Sequence, residues 1–239
     1  ILKEVDNEPH GILLMAALLK REGHHRVSVI VATEEDPVEA ALRLRPDVVG
    51  YTVYTGAQHY YADLNRTIKA QLPGVFSIMG GPHPTFFPDV IHEEGIDAIC
   101  LGEGEYAVLD LLNALQKGDP IHNIPNWWVK EDGQIHRNRL RPLLSSEELD
   151  ALPFADRELL YRAHAPSRLT KIRPFITGRG CPYDCSFCFN KAYSDLYDGK
   201  GRRTRRRSVD NVIREIKEVQ SKYELAFITF MDDTFILNR

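Results

Sequence analysis

Residues 176–193 read ITGRGCPYDCSFCFNKAY, and three of the chain's four cysteines, Cys181, Cys185 and Cys188, fall inside this stretch in the spacing CxxxCxxC. They follow a short apolar segment, PFIT, that begins a strand, and they stand among glycine, proline and polar residues. Three thiolates can hold three irons of a four-iron, four-sulfur cluster and leave the fourth iron open to another ligand, whereas a structural zinc centre closes four ligands around one ion. The remaining cysteine, Cys100, lies more than eighty residues upstream. Gly178 and Gly180 allow a tight loop and Pro182 stiffens it, while Phe187 can shield sulfur and pack on a flat adenine. Spacing alone leaves open a zinc site completed by a distant histidine, or a set of inert thiols.

Composition bounds what surrounds this loop. The 239 residues include 43% hydrophobic residues, sufficient to fill a core in each of two domains. Thirty basic and 34 acidic residues give a formal charge of -4, which argues against a generally cationic nucleic-acid binder. The longest apolar run, GILLMAALL at residues 11–19, is too short to span a bilayer and is followed by Lys20, Arg21 and Glu22. No secretory signal pattern is visible, and the cysteine pattern is unlike an extracellular disulfide framework, so a reducing, cytoplasmic setting is expected.

The first 118 residues alternate between helix and strand patterns. Gly11–Gly23 spaces its apolar residues for one helical face, and RVSVIV at residues 26–31 supplies a strand. Asp36 then offers an N-cap with Pro37 at the first helical position. DVVGYTVYT, VFSIMGG and IDAICLG read as further strands, separated by helices that end at EYAVLDLLNALQKG. Such alternation requires crossovers and a mostly parallel sheet, giving an α/β domain of Rossmann-like or flavodoxin-like type. In these sheets ligands lie beyond the carboxyl ends of strands. Three segments fall there: Thr52 and Tyr54, the run Gly80, Gly81, Pro82 and His83, and the turn at Gly102 and Glu103. Paired glycines admit close backbone approach, although glycine and proline also serve simply to shape turns. Phosphate-loop patterns of dinucleotide and ATP sites are absent from the sequence.

After Gly118 the composition changes. NWWVKEDGQIHRN forms a hairpin pattern around Asp132 and Gly133, with Trp127 and Trp128 expected to pack. The proline-containing stretch through residue 172 reads as a structured interdomain linker. The expected organisation is therefore an α/β domain over 1–118, hairpin and linker over 119–172, and a third segment over 173–239. Within the last, GKGRRTRRRS at residues 199–208 carries six basic side chains, able to contact RNA phosphates or to orient a carboxylate within the fold.

The sequence TGRGCPYDCSFC resembles the hallmark of radical S-adenosylmethionine (SAM) enzymes. The order of HGILLMAALLKREGH, GGPHPT, DAICLGEGE, ELDALPFADRELL, RRRSVDNVIREIKEV and ITFMDDTFILNR is similar to the subgroup with an N-terminal cobalamin-binding domain. That subgroup includes anaerobic magnesium-protoporphyrin IX monomethyl ester cyclase and many methyltransferases. The resemblance implies a cobalamin-binding domain followed by the beginning of a radical SAM partial TIM barrel. It implies methyl transfer, rearrangement or cyclisation on a small organic substrate, with a 4Fe-4S cluster, S-adenosyl-L-methionine and cobalamin as cofactors. A reducing partner such as flavodoxin or ferredoxin is implied as well. Cys181, Cys185 and Cys188 would ligate the cluster, Phe187 would touch adenine, and Asp232 or Asp233 would approach S-adenosylmethionine. Thr52, Tyr54, Gly80, Gly81, His83, Gly102 and Glu103 would border cobalamin.

The sequence departs from the family pattern in two places. Many cobalamin domains carry DxHxxG, but Asp6–Gly11 reads DNEPHG, so His10 is out of register as an axial ligand and none is assigned. The segment ITFMDDTFILNR would be only the second strand and exit loop of a barrel that normally continues, so an incomplete barrel is expected. The resemblance leaves two alternatives: a degenerate binding module, and an RNA-modifying enzyme, for which a second upstream cysteine set would be expected.

Overall fold

The computed structural model describes residues 1–236; the end of the expected second catalytic strand and exit loop, residues 237–239, lies outside them. Two compact units form, Ile1–Asp6 with Leu18–Leu140, and Asn7–Ala17 with Arg141–Arg239. Helix α1 (His10–Glu22) contributes residues to both.

The first unit continues with α2 (Pro37–Leu44), β1 (Val48–Thr52), α3 (Gln58–Gln71), β2 (Phe76–Gly80) and α4 (Pro82–Phe86). A 3-10 turn (Pro88–His92), β3 (Ala98–Cys100), α5 (Glu105–Lys117), β4 (Trp127–Glu131) and β5 (Gln134–Arg137) complete it. Asp36 caps α2 by accepting from the backbone N–H groups of Val38 and Glu39, with Pro37 at the start of the helix where its missing N–H costs nothing. The sheet order is β1-β2-β3-β4-β5, the first three strands parallel and the hairpin antiparallel. Successive strand residues point to opposite faces. Tyr51, Met79 and Ile99 accordingly enter one core with Tyr61, Leu64 and Ile68 of α3. Ile78, Ala98, Cys100 and Val129 enter the other with Ala107 and Leu111 of α5. Each large apolar side chain buried in this way contributes about 1.5–3 kcal/mol.

Two expectations are corrected here. Residues 26–31 do not form a full strand: Val31 makes an isolated parallel bridge to Leu2, through Leu2 N–H to Ile30 O and Ala32 N–H to Leu2 O, both 2.9 Å. An apolar run becomes a strand only where a neighbour can complete its ladder, and here one residue supplies it. The hairpin, expected in the interdomain stretch, instead extends the sheet by pairing Ala98–Cys100 with Trp127–Val129, so the first unit reaches Leu140 rather than 118. Its turn residues Asp132 and Gly133 both have positive φ, as a tight two-residue hairpin turn requires. Trp127 is buried and donates its indole N–H to Ala107 O at 2.7 Å.

The second unit contains α6 (Ser146–Ala151), α7 (Arg157–Ala163), α8 (Ala165–Leu169), β6 (Ile172–Phe175), β7 (Gly178–Arg179), α9 (Phe189–Leu196), β8 (Arg205–Arg206), α10 (Val209–Lys222) and β9 (Phe227–Phe230). Strands β6 and β9 pair in parallel from Ile172↔Phe227 to Phe175↔Phe230, and β7 pairs antiparallel with β8. Residues expected as linker are helical and capped. Ser145 and Glu148 form a reciprocal capping box on α6, and Asp156 caps α7.

Beneath β6 lies a buried ionic network. Glu8 accepts from Arg157 and from the Tyr161 hydroxyl, the latter at 2.5 Å. Arg157 also donates to Pro174 O at 2.8 Å and to Glu215 at 3.3 Å, and Glu215 accepts from Arg207 at 2.6 Å. Arg173, 1% exposed, donates to the Tyr161 hydroxyl and to the carbonyls of Ser167 and Arg168. Removing one partner from such a network strands the others without solvent. Glu8→Ala is expected to destabilise the second unit by about 3 kcal/mol, seen as a lower urea midpoint, with Glu8→Gln less severe because an acceptor oxygen is kept.

Candidate functional site: a thiol loop pinned at a pair of strand ends

The cysteine loop leaves the carboxyl end of β6 and is fastened to the residues that follow β9. Thr177 donates its backbone N–H and its hydroxyl to Asp232 Oδ1, at 3.0 and 2.9 Å. The Arg207 N–H bonds Thr177 O at 2.9 Å, and Gly178 pairs with Arg206. A Cβ on Gly180, whose φ is +80°, would stand 2.0 Å from the Arg203 carbonyl oxygen, so only glycine allows this approach. Arg203 then reaches back over the loop, donating to the Asp184 carboxylate at 2.7 Å and to the Tyr183 carbonyl at 2.5 Å, between the first two cysteines.

The three thiols differ in surroundings. Cys181 Sγ lies 3.2 Å from Thr234 Oγ1, Cys185 is exposed, and Cys188 Sγ accepts from Asn190 Nδ2 at 3.8 Å. The Cys188 N–H bonds Cys185 O at 3.1 Å, turning the chain into α9. Among the described residues no three His, Cys, Asp or Glu side chains are gathered to hold a single metal ion. A closed zinc centre needs four donors on one ion, whereas a cubane distributes its thiolates over separate irons. Three thiols on one loop fit the cluster in kind. Phe187 is 92% exposed and Asp233 is exposed, while Asp232 is engaged by Thr177.

Of the two readings open for the basic run, phosphate contact or pairing within the fold, the described contacts are of the second kind. Arg203, Arg205, Arg206 and Arg207 all bind acceptors of their own unit: Asp184, Leu144 O, Thr234 O with Phe235 O, and Glu215. Arg205 is only 4% exposed.

In the first unit the three strand-end segments are joined to each other. Thr52 pairs with Gly80, Val53 N–H donates to Gly80 O at 2.8 Å, and His83 N–H donates to Val53 O at 2.9 Å. Gly81 has φ +97°, and a Cβ there would meet Val53 N at 3.1 Å, which explains the glycine. Thr85 links the remaining segment, donating to Gly81 O at 2.8 Å while accepting from the Gly102 N–H at 3.0 Å. Asn126 braces it by donating to the carbonyls of Leu101 and Glu103, both at 2.9 Å. His83 stacks on Phe87 with ring centroids 5.3 Å apart, and its Nδ1 is 3.2 Å from Thr55 Oγ1. Burial and, secondarily, the nearby His59 lower its pKa, favouring the neutral ring. Tyr54 and Phe87 remain exposed. Exposed aromatic rings beside these joined strand ends fit the edge of a large, flat cofactor. Thr85 and Asn126 are bracing residues that local sequence pattern did not single out.

His10 has a different role. Its Nε2 is 2.9 Å from Pro174 O, and burial, followed by the charge of Arg157, holds its pKa near about 3.

The chain is a cobalamin-binding domain fused to a radical SAM domain: residues 4–112 match the B12 binding domain family and residues 175–239 match the radical SAM superfamily. It resembles cobalamin-dependent radical SAM enzymes. An uncharacterized methyltransferase of Pyrococcus horikoshii is 33% identical over 97% of this chain and 50% of its own length. The anaerobic magnesium-protoporphyrin IX monomethyl ester cyclase of Rubrivivax gelatinosus is 28% identical over 97% of this chain and 42% of its own. The chain thus spans about half the length of these relatives, or less. Among solved structures, the fold is similar to TsrM from Kitasatospora setae with cobalamin and a [4Fe-4S] cluster bound, with TM-score 0.71, 19% identity, and coverage of 96% of this chain and 46% of that one. It is also similar to the cobalamin-dependent S-adenosylmethionine radical enzyme OxsB with aqua-cobalamin and S-adenosylmethionine bound, with TM-score 0.75, 20% identity, and coverage of 98% and 32%.

Two outcomes follow from this geometry. Arg203→Ala is expected to loosen the loop, read as faster amide hydrogen exchange across residues 180–188 with exchange elsewhere unchanged, and Arg203→Lys should recover it only partly because lysine lacks the fork. The depressed His10 pKa sets the second. Below about pH 6.5 the unfolded chain binds a proton that the folded unit refuses, so this contribution is intact above that pH and is lost as pH falls toward 3. Urea unfolding between about pH 7 and pH 5 should show a slope that His10→Gln reduces by on the order of 1 kcal/mol per pH unit.

Proposed function

We propose that the protein is a cobalamin-associated radical SAM enzyme that performs methyl transfer, or a radical rearrangement or cyclisation, on a small organic substrate. The observation that carries this reading is the CxxxCxxC loop, fastened to the end of a parallel strand pair through Thr177–Asp232 and Thr234, in a chain whose first unit joins three strand-end segments. Methyl transfer is the leading reaction because relatives named as methyltransferases include the one sharing 33% identity. The cyclase among the relatives keeps rearrangement in the same class.

In this reading Cys181, Cys185 and Cys188 hold the cluster, and Phe187 and Asp233 face S-adenosylmethionine. Asp233 is favoured over Asp232 because Asp232 already accepts two hydrogen bonds from Thr177 and acts by positioning the loop. Thr52, Tyr54, Gly80, Gly81, His83, Gly102 and Glu103 border cobalamin. When bound, the cluster with S-adenosylmethionine supplies reductive cleavage of a sulfonium bond, and cobalamin supplies a methyl carrier. The chain's own residues position these groups, keep the Cys loop closed at Gly180 and, through burial, favour the neutral form of His83. His10 keeps its Nε2 toward Pro174, so that nitrogen would not be offered to a bound cobalamin. A low-potential donor of the flavodoxin or ferredoxin kind would deliver the electron. Among the described residues no helix is long and apolar enough to cross a membrane.

Anaerobic reconstitution of the full-length protein should yield about four irons and four sulfides per chain, lost in Cys181→Ala. Supplied with S-adenosylmethionine and reductant, it should form 5'-deoxyadenosine, S-adenosylhomocysteine or both, resolved by mass spectrometry. Cobalamin binding should be unchanged in visible spectrum by His10→Ala. Stoichiometric zinc in place of iron, or a histidine-type spectrum lost with His10, would overturn the respective part.

A further inference from the structure

We infer that Thr234 is a positioning residue that tunes the reduction potential of the iron–sulfur centre by donating its hydroxyl to the Cys181 sulfur. This rests on the cluster reading above. The Thr234 Oγ1 and Cys181 Sγ are 3.2 Å apart and either can be the donor. A cysteine that ligates iron does so as thiolate and has no proton to give. The hydroxyl is then the only donor of the pair, and the contact becomes charge-assisted.

The hydroxyl is held in place from several directions. Two residues before it, Asp232 is locked to the backbone and side chain of Thr177. The Thr234 carbonyl accepts from Arg206 at 2.9 Å, and the same guanidinium nitrogen holds Phe235 O at 2.6 Å. Arg206 is itself fixed by its pairing with Gly178 at the root of the cysteine loop and by its N–H to Ser146 Oγ at 3.1 Å. The Phe235 ring stacks on Phe230 of β9 with centroids 4.4 Å apart and planes within 13°. Residues on both sides of Thr234 are therefore tied to the two strands that frame the loop, and the side chain between them meets the first cysteine.

A donor to a cluster sulfur stabilises the more electron-rich, reduced state more than the oxidised one, and so raises the reduction potential. Of the other two thiols, Cys185 is exposed and the contact to Cys188 is longer, at 3.8 Å, which leaves Thr234 as the shortest donor contact seen at the three sulfurs.

The test is the midpoint potential of the reconstituted full-length protein, titrated anaerobically with dithionite and followed by electron paramagnetic resonance. Thr234→Val keeps the shape and removes the donor, and should shift the potential to more negative values at equal iron content. Thr234→Ser keeps the hydroxyl and should return it to the wild-type value. An unmoved potential in the valine variant overturns the role of Thr234 while leaving the cluster reading intact. A valine shift that serine does not reverse overturns it as well, since the effect would then belong to packing. If the valine variant cannot retain its cluster, the serine variant decides: wild-type iron content and potential support the role, and loss of either overturns it. A wild-type protein that takes up no iron refutes the cluster reading itself, and the inference with it.

Discussion

The site depends on one carboxylate. Asp232, just beyond β9, accepts the backbone N–H and the hydroxyl of Thr177, just beyond β6. Two parallel strands end side by side because of their ladder, but nothing in a ladder decides where the chain goes next. A bidentate acceptor across the two exits does decide it: Thr177 is held, Gly178 meets Arg206, and Gly180 passes beneath the Arg203 carbonyl at a distance only glycine tolerates. The cysteines therefore start from a fixed root even though Cys185 is exposed. Two neutral or charge-assisted hydrogen bonds of this kind contribute about 1–3 kcal/mol each, comparable to a buried core side chain, and they act at the root from which the loop departs.

The same unit buries an unusual amount of charge. Glu8, Arg157, Arg173 and Glu215 are each nearly inaccessible to solvent. Such a network contributes little net stability compared with apolar packing, but any rearrangement exposes an unpaired charge, so it selects one arrangement strongly. Segment Asn7–Ala17 enters this unit through Glu8 and His10. Helices α7 and α8 are held by the same arginines, which is why a proline-rich stretch without long periodicity is ordered.

What was legible in the sequence was local. Asp36 before Pro37 and Asp132 before Gly133 each carry their geometry within a few residues, and both features appear where the local chemistry places them. The alternation of β1, β2 and β3 with helices was legible for the same reason, since each strand's two-residue period sorts side chains to opposite cores. What was not legible depended on distant partners. RVSVIV has strand composition, but only Val31 finds a ladder neighbour, in Leu2. The hairpin reads alike as a linker or as a sheet extension until Trp127 finds Ala107 and Cys100. In sequence Arg203, Arg205, Arg206 and Arg207 admit either phosphate contact or internal pairing, because composition shows their charge and not their acceptors, which lie up to 61 residues away at Leu144. Asp232 and Asp233 are adjacent in sequence and indistinguishable there; Thr177 separates them.

His10 shows how a single hydrogen bond bears on cofactor chemistry. A ligating imidazole nitrogen must present a lone pair, and the nitrogen that carries the proton is set by its partner. Pro174 O can only accept, so Nε2 carries the proton, and the low pKa excludes a second proton on Nδ1 near neutral pH. Freeing Nε2 for cobalt would require moving the proton to Nδ1 and turning the ring out of a site where Arg157 and Arg207 lie close. Pro174 O would keep Arg157 as a donor, so the carbonyl would not be stranded, and the cost falls on the imidazole itself. The out-of-register DNEPHG and this hydrogen bond are thus two views of one fact: the histidine of α1 serves the second unit. On the proposed function, the strand-end segments around Thr52, Gly80 and Gly102, joined by backbone contacts and by Thr85, would border a bound cobalamin.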